Sequence, residues 1–210
     1  MKHKEMNKAI EMRKMGASIK DISKTLDVAK SSVSLWVRRI KLTDEQKLVL
    51  ENKQMVNRLK GAEANRLHFA NKRNEYKNNG FEKAKLDDEF RVLCSLYWGE
   101  GSKNKNSFKL TNSDFSMLQV ACRILKDYNK SLYIYYYKEN NISANEIKKW
   151  WLSKLNNIDK IILYEQKISR ASQQKLKGKL PHGTACLLIN STELVQMVYG
   201  GIEYLKTMGA

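Results

Sequence analysis

From Thr43 to Lys85 the chain reads TDEQKLVLENKQMVNRLKGAEANRLHFANKRNEYKNNGFEKAK, without a proline and rich in strong helix formers. Asp44 and Glu45 open the stretch, where the positive end of a helix dipole favours carboxylates. Its apolar residues, Leu48, Met55, Leu59, Ala62, Leu67 and Phe69, make only a ragged stripe. A helix without a continuous apolar face builds no core of its own. The stretch therefore reads as one long helix, or two broken near Gly61, that joins two packed bodies and ends at Asn78-Asn79-Gly80. Three segments result: a domain over 1–42, a basic helical linker over 43–86 and a second domain over 87–210. The expected fold class is α+β, with helices alone in the first domain and mixed strands and helices in the second.

The first domain spaces its apolar residues as helices with a short break between the last two. Ser18 can cap the middle one, with Asp21 three residues on in the place of a capping box, and Ile19, Ile22 and Leu26 share a face. Val28, Val33, Trp36, Val37 and Ile40 supply the matching face of the next helix, and Ile10, Met12 and Met15 precede both. The result is a three-helix unit ending in a helix-turn-helix. Lys30, Ser31, Ser34 and Arg38 are left facing outward on the last helix: short hydroxyls that fit close to base edges, with cations for phosphates. The unit resembles the Hin-type resolvase and homeodomain-like helix-turn-helix families, in which LDVAKSSVSLWVRR would be the turn and recognition helix. That resemblance implies double-stranded DNA as partner. One such unit reads a single half-site, so a dimer or a second DNA-binding surface is expected beside it.

Charge points the same way. Lys and Arg number 39 against 22 Asp and Glu, a formal net charge of +17, and an excess of this size suits a polyanion. In the linker Arg58, Lys60, Arg66, Lys72, Arg73 and Lys77 are denser than the acids among them and can follow a phosphate backbone, although a plain solvated linker has the same composition. The segment QKISRASQQKLKGKLPHG carries Lys167, Arg170, Lys175, Lys177 and Lys179 without an acid, as a phosphate clamp beside a sheet would. Apolar runs fall short of the roughly 18 residues of a membrane span, and the N-terminus has no apolar signal core, so no membrane and a cytoplasmic location are expected. Cys94, Cys122 and Cys186 are odd in number and lie mostly in apolar segments, which suits reduced core residues rather than a disulfide or zinc scaffold. His3, His68 and His182 are too scattered for a ligand set.

The second domain opens with FRVLCSLYWGEG, a helix with Val92, Leu93, Leu96 and Tyr97 in its apolar set. Ser95 and Gly99, four apart, would let another helix approach closely. Glu100 falls at the C-terminal end, where the dipole disfavours a negative charge. A lysine such as Lys103, a metal ion or solvent can stabilise it there. GSKNKNSFKL then reads as a very short strand, turn and strand, and TNSDFSMLQVACRILKDY as a helix capped at Ser113 or Asp114. SLYIYYYKEN is a strand with Leu132, Ile134 and Tyr136 on one face and Tyr133, Tyr135 and Tyr137 on the other. A helix (SANEIKKWWLSKLN), a strand (DKIILYEQKI), a last strand (GTACLLINS) and a final helix capped at Ser191 or Thr192 complete the domain.

Leu93-Cys94-Ser95-Leu96-Tyr97-Trp98-Gly99-Glu100-Gly101 resembles the nine-residue motif of the LAGLIDADG homing endonucleases, with leucine first and fourth, a small residue seventh, acid eighth and glycine ninth. In that family two such helices pack together and each delivers one acid to divalent metals at the scissile phosphate. The resemblance implies that Glu100 is a metal ligand and catalytic, that Leu93, Ser95, Leu96 and Gly99 line a helix pair, and, since one copy is visible, that the chain is a homodimer. Lys103 and Lys109 are then the nearest candidates for a catalytic cation. The whole chain resembles bacterial and phage proteins that join a resolvase-like helix-turn-helix to a LAGLIDADG-like domain.

Trp98 departs from the motif's first Asp, and the shortened first hairpin departs from the long DNA-reading hairpins of those enzymes. Reading can have passed to the N-terminal domain and cutting been lost with it, as in regulators that carry a degenerate LAGLIDADG domain. Two expectations follow: a dimeric, sequence-specific DNA-binding protein of regulatory or structural type, without cofactor, or a Mg²⁺-dependent site-specific DNA endonuclease. RNA binding and a purely structural role are the remaining readings.

Overall fold

The computed structural model describes residues 3–167 and 180–208. The chain is α+β and divides into two compact units, Met1–His68 and Phe69–Ala210. The division falls inside one helix, so residues 69–86, expected as linker, pack with the second unit.

The first unit contains α1 (His3–Lys14), α2 (Ile19–Leu26) and α3 (Lys30–Val37), followed by the first half of α4 (Asp44–Leu86). Ser18 caps α2 by accepting from Asp21 N at 3.1 Å. Asp27 ends it in the left-handed region at φ 50°, and Ser23 Oγ donates to Val28 O at 2.7 Å across the turn. Ala9, Ile22, Val28, Val33 and Val37 form the core. Every residue from 51 to 69 of α4 is exposed.

The helix is continuous through Gly61 and does not stop at Asn78-Asn79-Gly80 but runs on to Leu86. Gly80 serves packing rather than termination. A β-carbon built there would lie 2.5 Å from Met197 C and Cα, inside their van der Waals envelope.

The second unit adds α5 (Asp88–Glu100), β1 (Phe108–Asn112), α6 (Phe115–Ile124), β2 (Ser131–Tyr137), α7 (Ala144–Lys154), β3 (Lys160–Gln166), β4 (Thr184–Ile189) and α8 (Thr192–Met208). Asp87, Asp114 and Ser143 cap α5, α6 and α7, the last in a full capping box with Glu146, and Ser191 Oγ accepts from Leu194 N at the start of α8. The strands order β1-β4-β2-β3, antiparallel except for the β2–β3 pair, which α7 connects as a crossover. Of the expected first hairpin only a bridge between Gly101 and Leu110 forms.

Burial alternates along β2 and β4, with one sheet face packed beneath the helices. Phe108, Leu110, Leu132, Ile134, Leu187 and Ile189 face the helices. Lys130, fully buried, sends its ammonium to the carbonyls of Leu125, Lys126 and Tyr128 at 2.8, 3.2 and 2.6 Å. It thereby satisfies three carbonyls of the turn that follows α6.

All three cysteines are free. Burial pushes the Cys94 and Cys122 thiols up to about 12 and about 11, which keeps them protonated as apolar packing groups. No helix among the described residues is long and apolar enough to cross a membrane.

Candidate nucleic-acid interfaces

Packing of α3 decides which of its side chains can reach a ligand. Val33 and Val37 enter the core, so Lys30, Ser31, Ser34 and Arg38 lie exposed on the far side. Leu35 lies exposed too, at 62%; an apolar residue in that row can contact a thymine methyl. Sequence spacing did not single it out, although its neighbours on either side did. Arg38 caps the helix rather than belonging to its last turn, which suits a phosphate contact more than a base contact.

Arg58 lines a cleft of about 640 Å³ with Arg13, Lys20, Lys24 and Lys53. Lys53 donates to Asp21 at 2.8 Å and holds that carboxyl below its usual range. Arg66 is engaged by Glu63 through two hydrogen bonds of 2.9 and 2.8 Å, so part of its charge is answered locally. Arg73 lies half-buried in the second unit. Lys167 is exposed just past β3, and Arg170, Lys175, Lys177 and Lys179 lie outside the described residues.

In α5 the apolar set separates into two faces. Phe90, Leu93, Cys94 and Tyr97 are buried in the domain's own core. Leu93 is 1% exposed and is therefore corrected from interface to core: it packs in the hydrophobic cluster of its own protomer, out of reach of a second copy. Val92, Ser95, Leu96 and Gly99 form the opposite stripe at helical spacing, exposed except for the half-buried Leu96, and a β-carbon on Gly99 would meet nothing within 4 Å. Gly101 is different, since the Tyr97 ring fills the space of its missing side chain.

Glu100, the last residue of α5, is exposed and makes no ion pair or hydrogen bond among the described residues. Lys103 is exposed and Lys109 half-buried, and neither forms a salt bridge with it. Among the described residues, no ion pair or hydrogen bond thus offsets a carboxylate placed against the helix dipole. No three His, Cys, Asp or Glu residues cluster suitably for a metal ion among the described residues.

The sheet face away from the helices carries rows set by the register: Lys109, Leu188, Ser131 and Lys160; then Thr111, Cys186, Tyr133 and Ile162; then Thr184, Tyr135 and Tyr164. Tyr164 stacks on Tyr135 and Tyr133 with ring centres 5.3 and 6.2 Å apart. Tyr133, Tyr135 and Tyr137 are thus on the half-exposed face, while Tyr136 packs beneath the helices. No family model, curated protein or solved structure matches the chain.

His182, the histidine of the last turn, has a packing role. Its ring stacks on Trp150 at 4.0 Å, its carbonyl accepts from Trp151 Nε1 at 2.8 Å, and burial lowers its pKa.

Proposed function

We propose that the protein is a sequence-specific double-stranded DNA-binding protein that acts as a homodimer. The observation that carries this reading is the outer row of α3, where Lys30, Ser31, Ser34 and Arg38 stand exposed on a helix whose other side is locked into a three-helix core. The unpartnered stripe of α5 supports the second copy, because a half-site reader gains specificity from a pair. A metal-dependent endonuclease is the second reading. It is favoured by Glu100, a carboxylate without a partner among the described residues at the unfavourable end of its helix. Among the described residues of one protomer no three His, Cys, Asp or Glu donors cluster, so that reading also requires the dimer.

The experiment is selection from a randomised duplex library with and without Mg²⁺, beside Lys30→Ala, Ser34→Ala, Arg38→Ala and Glu100→Gln. A defined site should be retained. Ser34→Ala should relax specificity at one position, and Arg38→Ala should weaken all duplexes alike and reduce the salt slope by about 1. Uniform retention of every sequence would overturn the specific reading. Metal-dependent cuts lost in Glu100→Gln while binding survives would establish the nuclease.

A further inference from the structure

The loop between α5 and β1 is fixed from α8 by three donors. Thr192 Oγ1 donates to Asn106 O at 3.2 Å, Gln196 Nε2 to Lys105 O at 2.7 Å and Tyr199 Oη to Asn104 O at 2.9 Å. Three successive carbonyls are turned to the helix, so the backbone that carries Lys103 and Lys105 is held in place before any ligand arrives. These two lysines meet Arg73 and Lys77 of α4 around a cleft of about 350 Å³. The one carboxylate in its lining, Glu203, is already engaged by Lys206 at 2.8 Å. None of the four cations forms a salt bridge among the described residues. Like charges gathered without counter-charges repel one another, and a bound anion relieves that repulsion.

A second cleft, of about 390 Å³, adjoins the first through Arg73, which lines both. Phe69 and Tyr76 line it on the same side of α4, and Asn106 and Thr192 close it from across the cleft. Phe69 is 56% exposed, and the Lys72 ammonium stands over the Tyr76 ring at 5.8 Å. Cations for phosphate beside aromatic faces for a base are the chemistry by which nucleotides are held irrespective of sequence.

We propose that the paired cleft between α4 and α8 binds a nucleotide unit, with its phosphates among Arg73, Lys77, Lys103 and Lys105 and its base against Phe69 and Tyr76. The same chemistry is offered by a free nucleoside polyphosphate and by one residue of a single strand. The site does not rest on the helix-turn-helix reading.

Full-length protein is titrated with ATP, with inorganic tripolyphosphate and with a labelled oligo-dT strand, each by calorimetry or anisotropy. The variants are Lys103→Gln/Lys105→Gln, Arg73→Gln/Lys77→Gln and Phe69→Ala/Tyr76→Ala, with circular dichroism melts as the folding control. Either cationic pair should weaken every phosphate ligand at least about tenfold, since each charge-assisted bond lost is worth that much. The aromatic pair should weaken ATP or oligo-dT and leave tripolyphosphate unchanged. Preference for ATP identifies a free nucleotide as the ligand, and preference for oligo-dT a strand. Absence of saturable binding to all three probes overturns the site, as does binding that survives both cationic pairs. An equal loss of tripolyphosphate in the aromatic pair overturns the base half of the proposal. The Lys103/Lys105 variant lies on an exposed loop and keeps the test valid if the helix variants fail to fold. Site-specific duplex retention measured on the same samples separates this site from α3: its loss in Lys30→Ala with nucleotide binding intact shows two independent surfaces.

Discussion

Replacing glycine by alanine within a helix ordinarily stabilises it, by about 1 kcal/mol. At Gly80 and Gly200 the opposite is expected. A β-carbon on Gly80 would sit 2.5 Å from the Met197 backbone, and one on Gly200 would sit 2.7 Å from Lys77 C and 2.9 Å from Lys77 Cα. Both obstacles are main chain, which cannot rotate aside as a side chain can. The carbonyl oxygens of Met197 and Lys77 lie nearer still, so restoring ordinary contact near 3.4 Å requires α4 and α8 to part by more than about 1 Å. Overpacking of this kind costs about 1–3 kcal/mol and more where nothing yields.

With the propensity gain subtracted, each substitution should destabilise by about 2 kcal/mol, read as a fall of about 4–8 °C in melting temperature. The double variant should cost less than the two singles together, because one separation of the helices relieves both clashes. Gly61→Ala is the internal control. Nothing lies within 4 Å of its β-carbon, so it should slow amide exchange around it in α4 and leave the melting temperature equal or higher. A rise in melting temperature for Gly80→Ala and Gly200→Ala alike would refute the close crossing.

Lys130→Met keeps the aliphatic stem and strips the carbonyls of Leu125, Lys126 and Tyr128 of their buried donor; a loss of about 3 kcal/mol in urea unfolding is expected, and a loss under about 1 kcal/mol would show that water replaces the ammonium. Gly99→Leu should leave protomer stability unchanged, since its surroundings are open, and should abolish self-association in analytical ultracentrifugation; unchanged association would remove α5 from the interface. Lys53 lowers the Asp21 pKa from 3.8, so the pair's small, solvent-screened contribution is complete above that value and disappears as pH falls through the lowered one. An NMR titration should show the Asp21 carboxyl rising toward 3.8 in Lys53→Met.

The elements most legible in the sequence were those whose signals are local. Ser18, Asp114 and Ser191 mark their helix starts through side-chain chemistry alone. The alternation of SLYIYYY placed Leu132, Ile134 and Tyr136 on the buried face of β2. The long helix was legible as a helix, but its end was not. Asn-Asn-Gly carries the same letters whether glycine adopts a left-handed turn or makes room for a neighbour, and the neighbour, α8, comes more than a hundred residues later. Likewise Gly200 and Gly201 look like one flexible pair, yet Gly200 admits Lys77 of α4 and Gly201 admits Cys94 and Phe90 of α5. Non-local packing of this kind leaves no period in the sequence. The cleft that gathers Arg73, Lys77, Lys103 and Lys105 escaped for the same reason, since its cations come from separate segments.

The motif helix shows how far residue spacing alone can carry a site. Phe90, Val92, Leu93, Cys94, Leu96, Tyr97 and Trp98 give α5 an apolar arc of about two thirds of its circumference, wider than the single stripe of a surface helix. Among the described residues, α8, α6 and β1 pack against α5, and α8 reaches it through Gly201, closing over Phe90 and Cys94. Leu93 belongs to that side, although the resemblance places it with Ser95 and Leu96. What the protomer leaves is Val92, Ser95, Leu96 and Gly99, two turns or about 10 Å of helix. So short a strip falls well below the roughly 1,000 Å² of a stable interface. Pairing through α5 should therefore be weak in free protein and should strengthen when two half-sites on one duplex hold two copies together. The self-association removed by Gly99→Leu is accordingly best sought with duplex present, where the loss should appear as a change from cooperative to independent binding.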